Sequence, residues 1–264
     1  MTDGPQSDKT IEEGVQPLTG AVLAPGWALA YVAGVLLLNV GLVAASRTEA
    51  IVRPLLEVAK TLAPAGAAHT LALATLTALV GMASYGLMLV PAIAMAVTAR
   101  RRGLSFWAAI GLRRFEAGRT LKLAAVLVVG AFAATAVYAV VARALGVTIV
   151  GNAADLATGF RTGPAEIVIA FVLVGVVAPF VEEITFRGIL FPSLKASWGT
   201  APALLVSGAV FGVVHLQPTI AVPLALIGIG LAAIFLRTRS LWSAIIAHCA
   251  YNTVSLALAF LLIR

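Results

Sequence analysis

The chain alternates long apolar runs with short polar interruptions, and the runs are too continuous for one face of a soluble helix. They fall at about 24–46, 68–98, 121–143, 165–194, 200–216, 219–236 and 240–262. Crossing a bilayer takes around 20 apolar residues. The pattern therefore predicts about seven membrane-spanning helices, an all-α polytopic transmembrane bundle. Pro91 falls inside the second run and predicts a kink there. The stretch 47–66 is a candidate eighth element, re-entrant or interfacial, and the amphipathic stretch 104–118 a candidate interfacial helix. Gly208 and Gly212 stand at GxxxG spacing, which favours close helix packing. No internal repeat stands out, which lowers the case for an inverted-repeat transporter. Three parts follow: a polar tail over 1–20, N-terminal transmembrane helices over 21–164 with a basic loop at 99–120, and a helical core over 165–264 that carries the chemistry.

Composition agrees with the pattern. Of 264 residues, 61% are hydrophobic and only 11% charged, and the mean hydropathy is +1.04. A soluble domain carries roughly 25% charged residues. The net charge of +7 raises the question of nucleic acid, but its distribution answers it. Arg100, Arg101, Arg102, Arg113, Arg114, Arg119 and Lys122 crowd one segment against Glu116 alone. Beside apolar spans such a block marks a cytoplasmic loop, with membrane lipid headgroups as its expected partners and no nucleic acid. The N-terminus then also lies in the cytoplasm, the nearly neutral loop 144–164 outside, and Arg237 and Arg239 inside. The polar, acidic first 20 residues and the length of the first apolar run predict a true span rather than a cleaved signal. The Ala-, Gly- and Arg-rich bias fits a high-GC bacterium, so a bacterial plasma membrane is the expected location. A single cysteine, Cys249, excludes an internal disulfide framework.

Against this background the acids inside apolar runs stand out. Nine of the eleven lie in the tail, loops or helix ends; only Glu182 and Glu183 fall deep within a run. A charged side chain at mid-membrane costs about 2.5–3.5 kcal/mol on insertion scales, so the two acids need partners or a function. Glu183 and Arg187 are four apart and share a helix face, as a pair would. Glu182 points about 100° away with no local partner. Two of the three histidines also lie within late spans: His215, four after Phe211, and His248, four before Asn252. At about 1.5 Å per residue from the expected cytoplasmic ends, Glu182, His215 and Asn252 lie roughly 18–22 Å deep and His248 roughly 12 Å deep. All four can meet in one layer if their helices are neighbours. Pro179, which cannot bond the carbonyl of Gly175, predicts a kink one turn before the acids, where water can enter.

Three motifs now stand in order: "EEITFR" (Glu182, Glu183, Arg187), "FGVVH" (Phe211, His215) and "HCAYN" (His248, Asn252). Together they resemble the EExxxR, FxxxH and HxxxN/D motifs of the CAAX prenyl protease and bacteriocin-processing family, over roughly residues 165–255. The resemblance implies an intramembrane endopeptidase cleaving membrane-associated or lipidated peptides. It implies that Glu182 activates water with His215 as its partner. His248 and Asn252 would stabilise the oxyanion, and Glu183 and Arg187 would support the site. The family is described both as metal-dependent and as metal-free. Zinc on His215, His248 and Glu182 would satisfy ligand-type rules, though HExxH spacing is absent.

Other readings weigh against this one. Glu183–Arg187 reads equally as a structural ion pair, and Phe211 as packing. Cys249 faces away from His248 because adjacent helical positions diverge. An aspartyl protease needs two membrane aspartates, but only Asp155 follows the first span, in a loop. Around Ser207 the sequence reads "LVSG", short of a rhomboid-like GxSG, although a Ser207–His248 dyad remains open. A membrane scaffold, immunity protein or proton- or cation-handling protein using the same Glu/His cluster is the non-enzymatic alternative.

Overall fold

The structure, a computed structural model, describes residues 25–46, 48–62, 68–149 and 164–262. The tail over 1–20 and most of the loop 144–164 lie outside them. Every predicted apolar run is helical, and among the described residues there is no strand. The helices are α1 (Pro25–Ser46), α2 (Glu49–Leu62), α3 (Ala68–Met88), α4 (Val90–Arg101), α5 (Phe106–Ala109) and α6 (Ala117–Ala144). After them come α7 (164–198), α8 (Thr200–Val213), α9 (Ala221–Thr238) and α10 (Leu241–Leu262). Among the described residues, five helical segments are long and apolar enough to cross a membrane. They are Leu79–Arg101, Ala117–Ala144, Ile167–Trp198, Pro218–Thr238 and Leu241–Leu262. The other two predicted runs correspond to shorter apolar helices, Gly26–Leu38 and Thr200–Val213. The chain is thus a multi-pass helical membrane protein. At 14 residues, α8 is only about 21 Å long, shorter than a hydrocarbon core near 30 Å thick, and His215 follows just beyond its end.

Proline shapes the two helices that matter most. Pro91 separates α3 from α4, and it has no N–H for the carbonyl of Leu87 four residues back. The Tyr31 hydroxyl of α1 donates to that carbonyl instead. One residue on, Thr185 Oγ1 of α7 lies 3.0 Å from the carbonyl oxygen of Met88. The break in α3–α4 is therefore tied to both α1 and α7. Packing follows the same lines: Ala28 and Val32 of α1 share a core with Phe186, Leu190, Phe191 and Leu194 of α7.

Helices α8 and α9 lie in close contact through glycine. A Cβ on Gly208 would sit 2.8 Å from the carbonyl oxygen of Ala225, and one on Gly212 would run into the carbonyl of Ala221. Opposite them, a Cβ on Gly228 would stand 2.9 Å from that of Phe211. The GxxxG spacing thus marks a real contact. Gly212→Leu is expected to force α8 from α9 and to exceed the ~1–3 kcal/mol typical of overpacking, because the obstacle is backbone. Thermal unfolding in detergent measures this; an unchanged midpoint would mean that the two helices are not in contact.

Two polar stretches resolve differently. The stretch 47–66 contains a separate helix, α2, largely exposed and carrying Glu49, Arg53, Glu57 and Lys60. The stretch 104–118, expected as an interfacial helix, forms only the single turn of α5. Gly103 and Gly111 bracket it at φ +69° and +84°, where helical geometry cannot continue. The chain then docks on the α9–α10 junction: the Leu241 N–H donates to the Gly111 carbonyl, and the Ser240 hydroxyl to that of Arg113, both at 2.7 Å.

Candidate active site

Helix α7 carries the acids, and it is not a plain α-helix. Leu173–Val177 and Ile184–Leu190 take π geometry on either side of Ala178–Glu183. Such bulges recur at functional sites because they release backbone groups and re-aim side chains. In the first bulge the Ala178 N–H donates to the Leu173 carbonyl. That five-residue register sets Pro179 opposite the carbonyl of Val174, one residue earlier than the plain helical count to Gly175 predicts. Pro179 has no hydrogen to give, and Asn252 Nδ2 of α10 donates to Val174 at 2.9 Å instead. Asn252→Ala leaves that carbonyl without its partner. The expected loss is about 1–3 kcal/mol of stability, read as a lower unfolding midpoint, with Asn252→Asp unable to restore the donor.

Glu183 and Arg187 are both fully buried. Arg187 Nη1 donates to Glu183 Oε1 at 2.6 Å, and Nη2 to the carbonyl of Gly228 at 2.8 Å. The guanidinium also lies over the Phe211 ring, 4.7 Å from its centroid. Phe211 is thus a platform beneath the charged cluster as well as a packing residue; its edge meets His248, ring centroids 5.6 Å apart.

His248 stands between the two acids. Its Nδ1 lies 2.8 Å from Glu183 Oε1 and donates to it. Its Nε2 lies 3.8 Å from Glu182 Oε2, within ion-pair range but too far for a hydrogen bond. Glu182 Oε2 is buried with no hydrogen-bond partner among the described residues. His215 Nδ1 donates to the carbonyl of Phe211 at 2.6 Å, which leaves Nε2 as the acceptor of the neutral ring. Glu182 and His215 line one cavity of about 250 Å³, together with Thr185, Phe186 and residues of α1 and α3. Ser207 is fully buried and its hydroxyl has no hydrogen-bond partner among the described residues; it is not one of the residues lining this cavity.

The fit of a metal can be judged from the donors. Both histidines hold Nδ1 in a hydrogen bond, as a metal-ligating imidazole usually does. Yet among the described residues no three His, Cys, Asp or Glu side chains converge closely enough to hold an ion. As arranged, His215, His248 and Glu182 do not form a metal site. Tyr31, Ser84, Tyr85 and the carbonyls of Val174 and Gly228 belong to the neighbourhood but to no motif. Their only sequence signals are two tyrosines inside apolar runs and, for the Val174 carbonyl, Pro179.

Within the membrane helical bundle a carboxylate thus faces a cavity that it shares with His215, with His248 and a buried carboxylate–guanidinium pair behind it. Residues 164–254 match the family of type II CAAX prenyl endopeptidases, Rce1-like, which confirms over that segment the resemblance read from the three motifs. A Bacillus subtilis (strain 168) protein described as a candidate membrane peptidase, YdiL, is 35% identical over 78 residues, 30% of this chain and 32% of that protein. The match thus spans about a third of that relative's length. No solved structure matches the chain.

Proposed function

We propose that the chain is an intramembrane endopeptidase that cleaves membrane-associated or lipidated, CAAX-like peptides by glutamate-activated water attack. The observation that carries this reading is Glu182: a buried carboxylate oxygen without a hydrogen-bond partner, facing a cavity it shares with His215. In this reading Glu182 takes a proton from a water held between it and His215 Nε2, and the hydroxide attacks the scissile carbonyl carbon. The carbonyl becomes a tetrahedral oxyanion, which the Nε2–H of His248 in its imidazolium form and the second amide hydrogen of Asn252 stabilise. Collapse breaks the C–N bond, and the proton taken by Glu182 passes to the leaving nitrogen. Glu183 orients His248 through Nδ1, and Arg187 holds Glu183 in place. The cell setting that goes with this reading is a bacterial plasma membrane, with the N-terminus and the basic loop in the cytoplasm.

The test compares new peptide termini, by mass spectrometry, in source-cell membranes carrying wild-type protein or Glu182→Gln at equal abundance. Termini confined to the wild type support the peptidase and name its substrates. Identical termini, with both proteins folded and inserted, transfer the Glu/His cluster to the proton- or cation-handling alternative.

A further inference from the structure

Most of the cavity beside Glu182 is made by α1 and α3, helices outside the matched segment 164–254. Their contribution is mainly apolar: Val32, Val35 and Leu36 from α1, and Val80, Gly81 and Met88 from α3. From this we infer that the cavity is the specificity subsite of the peptidase, receiving one large apolar side chain of the substrate next to the scissile bond, with Gly81 setting its depth. The inference rests on the peptidase reading above.

Three observations carry it. The cavity adjoins Glu182 and His215 directly, so whatever fills it belongs to the part of a substrate nearest the attacked carbonyl. Its volume of about 250 Å³ exceeds the ~150 Å³ in which an apolar protein cavity already holds benzene. That leaves room for one aromatic or branched side chain and a water beside it. Gly81, finally, lines the cavity in the middle of α3, and among the described residues a Cβ there meets nothing within 4 Å. A larger side chain at this position would grow into the cavity rather than into a described neighbour. The tie from Tyr31 to the Leu87 carbonyl holds the two walls at a set separation.

The experiment maps cleavage sites in membranes carrying full-length wild-type protein, Gly81→Ala, Gly81→Leu or Glu182→Gln at equal abundance. Val35→Phe, which fills the same space from α1, serves as an independent variant. Wild-type sites are expected to share a large apolar residue at one fixed position beside the cut. Gly81→Leu and Val35→Phe should reduce those cleavages at least tenfold and shift preference toward Ala, Ser or Val at that position. Gly81→Ala, which adds a single methyl to the cavity, should fall between wild type and Gly81→Leu. Unchanged cleavage sites and rates in both filled variants overturn the inference. So does a loss that follows lipid modification regardless of the neighbouring side chain, which would assign the cavity to a lipid chain. Termini that are identical in wild type and Glu182→Gln remove the peptidase reading itself, and the subsite with it.

Discussion

Glu182→Gln is expected to yield a protein that folds and inserts at least as well as wild type and lacks the proposed peptidase activity. The substitution keeps the shape of the side chain and removes the base. General-base catalysis contributes typically 10²–10⁴-fold, so cleavage of any substrate found should fall by about that factor or vanish from detection. Stability should move the other way. Glu182 Oε2 has no hydrogen-bond partner to lose, and the nearest titratable nitrogen is 3.8 Å away. Removing the carboxylate from an apolar span relieves part of a cost of about 2.5–3.5 kcal/mol on insertion scales, less its attraction to His248 and whatever the cavity's water returns. A raised unfolding midpoint with lost turnover is the signature of a residue kept for chemistry. A lowered midpoint would instead show Glu182 to be a structural acid.

Arg187→Met makes the contrasting case. Methionine has a similar reach, but the guanidinium's bonds to Glu183 and Gly228 disappear, and Glu183 stays buried with His248 as its remaining donor. Breaking a buried ion pair from one side costs about 3–5 kcal/mol, because the surviving charge has nowhere to go. Membrane abundance and the unfolding midpoint should both drop sharply. The double variant Arg187→Met/Glu183→Leu should recover much of the loss, since a well-packed apolar pair often replaces a buried ion pair without penalty. Activity should not return with stability, because His248 has lost the carboxylate that orients it. A double variant no more stable than Arg187→Met would show that the two residues do not act as a pair.

These two variants divide a pair of adjacent glutamates into separate tasks, and that division is visible in helix geometry. Four-residue spacing puts Glu183 beside Arg187, and one step of about 100° turns Glu182 elsewhere. What helix geometry misses is His248. Counted from the helix ends it sits shallower than the other candidates, yet the structure seats it between both acids. The count supplies only depth along each axis. The tilt and the π turns of α7 decide which depths coincide. The carbonyl freed by Pro179 shows the same limit: an α-helical count names Gly175, while the π register shifts the vacancy to Val174, where Asn252 fills it.

Sequence alone determined the places of the apolar helices, the lack of a local partner for Glu182 on its own helix, the Glu183–Arg187 pair and the close approach at Gly208 and Gly212. All of these are local: they follow from run length, helical periodicity and side-chain size within one or two turns. Only the tertiary structure decided that Tyr31 and Thr185 secure the break at Pro91, and that α1 and α3 wall the cavity beside Glu182. The two hydrogen bonds join residues 56 and 97 positions apart, and the cavity joins segments as widely separated as α1 and α7. In an apolar bundle every lipid-facing and helix-facing position looks alike in hydropathy. Which helix neighbours which is therefore set by packing shape and a few interhelical hydrogen bonds, and neither leaves a periodic trace in the chain.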